Sequence, residues 1–263
     1  MCYLSIIAIF KQENPWLLEW IDYHHARGIE HFYLYNNDDD PEEADSILEP
    51  YVERGLVQTF PVQGELPQFQ AYRHAIDTFG SQNRWMAVID LDEFLLPGTG
   101  DDVRPILEEY EESSALVVHW NVFGSNGFVK RPLNQIDHFL RRAPDHFERN
   151  GYVKSIINPR TVDTGKLFCP HAFPYHTGHA VNENHQKTSV SISKYIGSKI
   201  RINHYCVRSR EDFETVKLVR GLATPSPDAR DESFWQIFDR NEIYDDEISR
   251  RFGNQTNRDQ QKY

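Results

Sequence analysis

At 263 residues, 39% of them hydrophobic and 13% aromatic, the chain is long enough to bury a sizeable core and reads as a globular enzyme, which excludes a disordered segment. Its formal charge of −12 excludes the basic face that a nucleic-acid binder needs and disfavours simple adhesion to anionic membranes. The three cysteines, Cys2, Cys169 and Cys206, have no paired spacing, so neither a disulfide framework nor a zinc knuckle is expected.

The first element is the near-continuous apolar run Tyr3 to Phe10, the pattern of a central parallel strand. Lys11-Gln12-Glu13 follows as a polar loop, and Asn14-Pro15 is expected to open a helix carrying Trp16, Leu17, Trp20, Ile21 and His24, closed by Gly28. Ile29 to Tyr35 reads as a second strand ending in Asn36-Asn37-Asp38. A helix from Asp40-Pro41 to Gly55, a strand from Leu56 to Val62 and a helix from Pro67 to Phe79 come next. The fourth strand, Trp85 to Ile89, runs into Asp90, Asp92 and Glu93 and ends at Pro97-Gly98. This alternation predicts right-handed βαβ units in a doubly wound α/β sheet.

The later half is less regular. Asp101-Asp102 caps a helix through Tyr110, and Ala115 to Trp120 is a strand followed by a turn-rich loop to Gly127. A histidine-rich stretch of short strands leads to a late strand, Ile200 to Tyr205, and a helix capped by Ser209. One domain is expected over 1–252, with 1–97 as its nucleotide-binding half and 98–252 as its acceptor half, and a polar frayed tail over 253–263. No signal peptide or run of membrane-spanning length is recognised, so a cytoplasmic protein is expected, free or at the inner face of the membrane.

Buried strands do not carry acids without compensation, because an unpaired carboxylate is costly to desolvate. Asp90 and Asp92 stand at the carboxyl end of a strand, where open α/β sheets gather ligands. Two carboxylates so placed can converge on Mg²⁺ or Mn²⁺, leaving positions for substrate phosphates. The plainer reading is a solvated acidic turn.

Five ordered blocks resemble glycosyltransferases of family 92 and bacterial relatives near family 2. They are Ile7-Ala-Ile-Phe-Lys-Gln-Glu-Asn-Pro-Trp-Leu-Leu-Glu-Trp-Ile-Asp-Tyr-His24, His31 to Asn37, Ile89 to Phe94, Trp120 to Gly127, and Ile202-Asn203-His204-Tyr205. The resemblance implies a GT-A fold, a UDP-sugar donor, a divalent cation (Mn²⁺ or Mg²⁺) and transfer of a hexose, possibly galactose, with inversion, to a glycan or lipid-linked saccharide. Matched residue by residue, it makes Asp90 and Asp92 the Asp-x-Asp pair and His204 a third metal ligand, against the alternative of a backbone-bonded histidine. Lys154 matches a position that reaches a donor phosphate. Trp120, Phe123 and Gly124 match the Trp-x-x-Phe-Gly-Ser block that would contact sugar, with a packed core as the alternative for Trp120.

Lys11 and Glu13 lie where base and ribose would bind, and Asn37 and Asp38 end the neighbouring strand, where turn chemistry is equally reasonable. Gln70 and Arg73 stand in the donor region, Arg73 as a phosphate clamp or a solvated helix charge. An inverting transfer needs a carboxylate base, for which Glu183 is the first candidate and Asp163 the second, each with a surface acid as its alternative. The histidines His171, His176, His179 and His185 have no defensible metal spacing, and Asn254-Gln255-Thr256 is a formal sequon only.

The competing readings are a nucleotidyltransferase, a haloacid-type phosphatase and a non-catalytic sugar-binding module. The first lacks its glycine-rich phosphate loop after the first strand. The second would carry Asp-x-Asp after that strand, and the third would tolerate loss of both aspartates and His204. Neither acceptor nor oligomeric state is legible in the residues.

Overall fold

The computed structural model describes residues 1–166, 168–220 and 230–253. Its strands are β1 (Cys2–Phe10), β2 (His31–Asn36), β3 (Val57–Pro61), β4 (Asn83–Val88), β5 (Glu93–Pro97), β6 (Ala115–Val122), β7 (Arg141–Arg142), β8 (Val153–Ile157), β9 (Ala180–Val181), β10 (Lys187–Thr188), β11 (Ile200–His204) and β12 (Ile243–Tyr244). The helices are α1 (Leu17–His25), α2 (Glu42–Glu53), α3 (Pro67–Phe79), α4 (Arg104–Glu108), α5 (Arg210–Asp212, continued by a wide turn over Phe213–Lys217) and α6 (Glu232–Phe238).

The main sheet runs β3-β2-β1-β4-β8-β6-β9-β10, with β11 and β5 branching from β6. Strands β1 to β4 are mutually parallel through β1, and β8 is antiparallel to both β4 and β6. This is the doubly wound mixed sheet expected from the sequence. Chain order goes outward from β1 to β3, then returns to place β4 on the other side of β1. The crevice at the carboxyl ends of β1 and β4 is therefore the topological switch point.

The continuous apolar run of β1 has a direct cause: both of its faces are covered. Leu4, Ile6 and Ala8 pack with Leu17 and Trp20, while Ile7 and Ile9 pack with Tyr72 and Ala75.

Two elements differ from expectation. The strand leading to the acidic motif stops at Val88, and Glu93–Pro97 is a separate strand paired antiparallel with β11. Asn14–Trp16 forms a 3-10 turn without a side-chain cap, and α1 begins only at Leu17. The reason lies in what α1 holds. Trp20 Nε1 donates to Glu93 O (2.8 Å), Tyr23 Oη donates to Leu95 O (2.8 Å), and His24 Nε2 accepts from Leu95 N (3.2 Å). At spacings of three and four residues these side chains share one helix face. Burial pushes the His24 pKa down to about 3, so the ring stays neutral, with Nδ1 donating to Trp20 O (2.8 Å). Helix α1 thus clamps β5 and fixes the end of the 89–92 loop.

No described helix is long and apolar enough to cross a membrane. The expected tail, apart from Gly253, and the sequon lie outside the described residues.

Candidate functional site

Four acids gather at the switch point, each answered by a basic side chain. Asp90 and Asp92 sit in the two-residue-spaced loop after β4, Glu93 opens β5, and Glu13 follows β1. Lys154, reaching from β8, places Nζ 2.7 Å from Asp90 Oδ2 and 3.4 Å from Glu93 Oε2. Glu93 is fully buried and accepts from Asp90 N (2.9 Å), an arrangement that fixes the loop. Burial, with Asp90 and Asp92 nearby, pushes the Glu93 carboxyl up to about 8, against the pull of Lys154.

Asp92 is also buried. One of its oxygens pairs with Lys217 and the other lies 3.6 Å from His204 Nε2. Burial opposes its charge, but Lys217 and His204 outweigh that and hold the carboxyl well below its ordinary range. Its backbone is tied to β11, since Tyr205 N donates to Asp92 O (2.8 Å). Burial lowers the His204 pKa, so the imidazole is neutral.

Glu13 is gripped by Arg208 and Arg220, which lower its pKa against burial. Arg208 is itself buried, donating to Gln135 Oε1 (2.7 Å) and Leu91 O (3.1 Å), and Arg220 donates to Lys11 O (2.8 Å). The segment 204–220 thereby ties the loops after β1 and β4 together with three cations. Arg230, held below its usual pKa by burial and by Arg220, adjoins the same group.

Of the residues expected from the sequence, Asp90, Asp92, His204, Glu13 and Lys154 come together here. Arg208, Lys217 and Arg220 join them and are not among the expected residues. Their signal was a basic cluster following the His204 block in a chain of net charge −12.

The other expected residues take different positions. Lys11 Nζ pairs with Asp39 (3.3 Å), Asp38 accepts from Gln12 N (2.7 Å) and Asn37 donates to Val62 O (2.7 Å), so these three shape the loops flanking β1 and β2. Arg73 is exposed and pairs along its helix with Asp77 (3.5 Å), while Gln70 donates to Glu65 O (2.5 Å).

Trp120 stacks on Tyr152 (centroids 5.2 Å) and lies 4.2 Å from the His204 ring, at the site's edge. Phe123 is fully buried against Tyr205. Gly124 is explained by packing, because a Cβ there would stand 2.5 Å from Arg240 O.

Neither candidate base joins the cluster. The Glu183 carboxylate accepts from Ser198 N (3.0 Å), Ser198 Oγ (2.7 Å) and Lys199 N (3.0 Å), which spends its lone pairs on anchoring the start of β11. Asp163 pairs with Lys166 (2.9 Å) in a turn and stands 3.6 Å from His176 Nε2.

For a divalent cation, the donors that meet are the Asp92 carboxylate and the neutral His204 imidazole, while Asp90 faces Lys154 with its side chain 35% exposed. Among the described residues no three His, Cys, Asp or Glu side chains form a ready cage. The pair suits a cation that completes its shell with water and substrate phosphate oxygens.

The sequence model of glycosyltransferase family 92 matches residues 4–240. A glycosyltransferase family 92 protein of Ricinus communis is 25% identical over 236 residues, covering 84% of this chain and 38% of that protein. A galactan β-1,4-galactosyltransferase of Arabidopsis thaliana is 27% identical over 110 residues, covering 38% of this chain and 22% of its own length. The chain thus spans less than half the length of these relatives. Among solved structures, S. aureus TarS aligns with a TM-score of 0.34 and 14% identity over 48% of this chain and 22% of that one. With the family match running over nearly the whole sequence, the chain belongs to glycosyltransferase family 92.

Proposed function

We propose that this chain transfers a hexose from a UDP-sugar to a glycan or lipid-linked saccharide, with inversion and with a divalent cation. The observation that carries the reading is the compensated charge cluster at the switch point, where Lys154, Lys217, Arg208 and Arg220 stand among Glu13, Asp90, Asp92 and Glu93. A diphosphate entering this crevice would meet cations held by buried acids, which orients them before substrate arrives.

Asp92 and His204, with Asp90 opposite, would hold the cation, and Mn²⁺ or Mg²⁺ bound there would supply Lewis-acid charge neutralisation. Lys217, now on Asp92, is placed to exchange that carboxylate for a phosphate oxygen. Glu13, fixed between two arginines, offers an acceptor for a ribose or base donor group. Trp120 and its stack on Tyr152 place an apolar face beside His204, suited to a sugar ring.

The test is release of UDP from a panel of UDP-hexoses in the presence of saccharide acceptors, followed with Mn²⁺ and after chelation. Acceptor-dependent release from at least one UDP-hexose supports the reading. Release from none, with a folded protein and several acceptor classes, overturns it.

A further inference from the structure

Beside the charge cluster lies a cavity of ≈ 290 Å³ that no residue role described so far uses. It is lined by Val117 of β6 and Ser155 of β8, by the segment Phe173-Pro174-Tyr175 and by His171. The volume is near the lower end for small-molecule sites, about 300 Å³, and matches a ligand of one ring.

Two of the lining residues carry unusual hydroxyls. Ser155 Oγ and Tyr175 Oη are both buried, and neither makes a hydrogen bond to a described residue. Buried polar groups are ordinarily bonded, and an orphan hydroxyl costs stability unless something else satisfies it. Two such groups on one small cavity, beside the aromatic face of Phe173, form the pattern of a site for a polyhydroxylated ring.

The cavity also adjoins the chemistry. His171 donates Nδ1–H to Val153 O (2.7 Å), which leaves Nε2 as an acceptor on the neutral ring. The same ring meets Trp120 edge-on (centroids 5.4 Å), and Trp120 is the residue packed on His204. A ring in the cavity is therefore separated from the Asp92–His204 pair by two aromatic rings, His171 and Trp120.

We propose that this cavity is a monosaccharide subsite that takes one hexopyranose ring, with Ser155 Oγ and Tyr175 Oη bonding its hydroxyls and Phe173 against its apolar face. The assignment rests on the glycosyl-transfer reading of the neighbouring cluster. The ring comes either from the donor hexose or from the terminal sugar of the acceptor.

The experiment uses Ser155→Ala and Tyr175→Phe, which delete one orphan hydroxyl each. Removing a group without a partner leaves the melting temperature equal to or above wild type. Calorimetry with UDP, UDP-galactose and UDP-glucose, and saturation-transfer NMR with methyl galactoside and methyl glucoside, then read binding. In each variant the subsite ligand is expected to bind about fivefold more weakly, the effect of one lost hydrogen bond, while UDP alone is unchanged.

Loss confined to the sugar part of UDP-hexose binding identifies the donor ring, and loss confined to the free glycosides identifies the acceptor. Sugar affinities that match wild type in both variants overturn the subsite. A melting temperature well below wild type in both shows the hydroxyls to be bonded within the fold and overturns it equally. UDP binding that is absent in wild type, with glycoside binding still dependent on Tyr175, refutes the transferase reading and leaves the subsite standing.

Discussion

Arg208→Met is the perturbation that most directly probes how the site is built. Arg208 and Glu13 are buried to 2% and 3% exposure, and the guanidinium also satisfies Gln135 Oε1 and Leu91 O. Breaking a buried ion pair costs about 3–5 kcal/mol, and the lower end applies because Arg220 keeps Glu13 paired. Two acceptors left without donors add roughly 1 kcal/mol each, giving about 5 kcal/mol in all. For a chain of this size that corresponds to a fall of about 10–15 °C in melting temperature.

The loss also depends on pH. The arginines lower the Glu13 pKa below its ordinary 4.5, so the stability it contributes is present above that value and disappears as pH falls through the folded-state pKa. Urea denaturation of wild type and variant should therefore show the full gap at pH 7 and a narrower one below about pH 4. A cycle with Glu13→Gln should give a coupling energy of at least about 2 kcal/mol. A loss under about 1 kcal/mol at pH 7, or a gap that is the same at both pH values, would refute the reasoning.

Further outcomes follow from the same geometry. Gly124→Ala forces a methyl to within 2.5 Å of a carbonyl oxygen and should cost about 1–3 kcal/mol in thermal or urea denaturation, where a neutral result would remove the packing explanation. Glu183→Gln should lower stability by about 1–3 kcal/mol through weakened anchoring of 198–200, with turnover within a few-fold of wild type. Turnover that falls a hundredfold or more at unchanged stability would instead make Glu183 the base. Lys154→Met leaves Glu93 buried beside Asp90 without its cation, so its stability deficit should grow from pH 6 to pH 9; a deficit independent of pH would contradict the burial account.

The parallel half of the fold was legible because its elements are local. An apolar run such as Ile6 to Phe10, and helices punctuated by Gly28, Gly55 and Gly80, declare themselves without reference to distant residues. Strand β5 was not legible, because Glu93–Pro97 follows β4 after a loop of only four residues and its partner is β11, more than a hundred residues later. The acids of the site were visible as charges placed where a buried strand ends. Their counter-charges were not, since Lys217 and Arg220 look like ordinary helix surface until the chain folds them over Asp92 and Glu13. Glu183 shows the converse: a carboxylate in a suggestive loop that the fold uses to hold backbone amides.

The most direct test of the donor-site account is calorimetric binding of UDP, with GDP and CMP as controls, with Mn²⁺ and after chelation, on wild type and Asp92→Ala. The account predicts UDP binding that is selective, falls at least tenfold on chelation, and is lost to a similar degree in Asp92→Ala while Lys217 remains in place. UDP binding indifferent to Mn²⁺ and to Asp92, or no preference among the nucleotides, would contradict it.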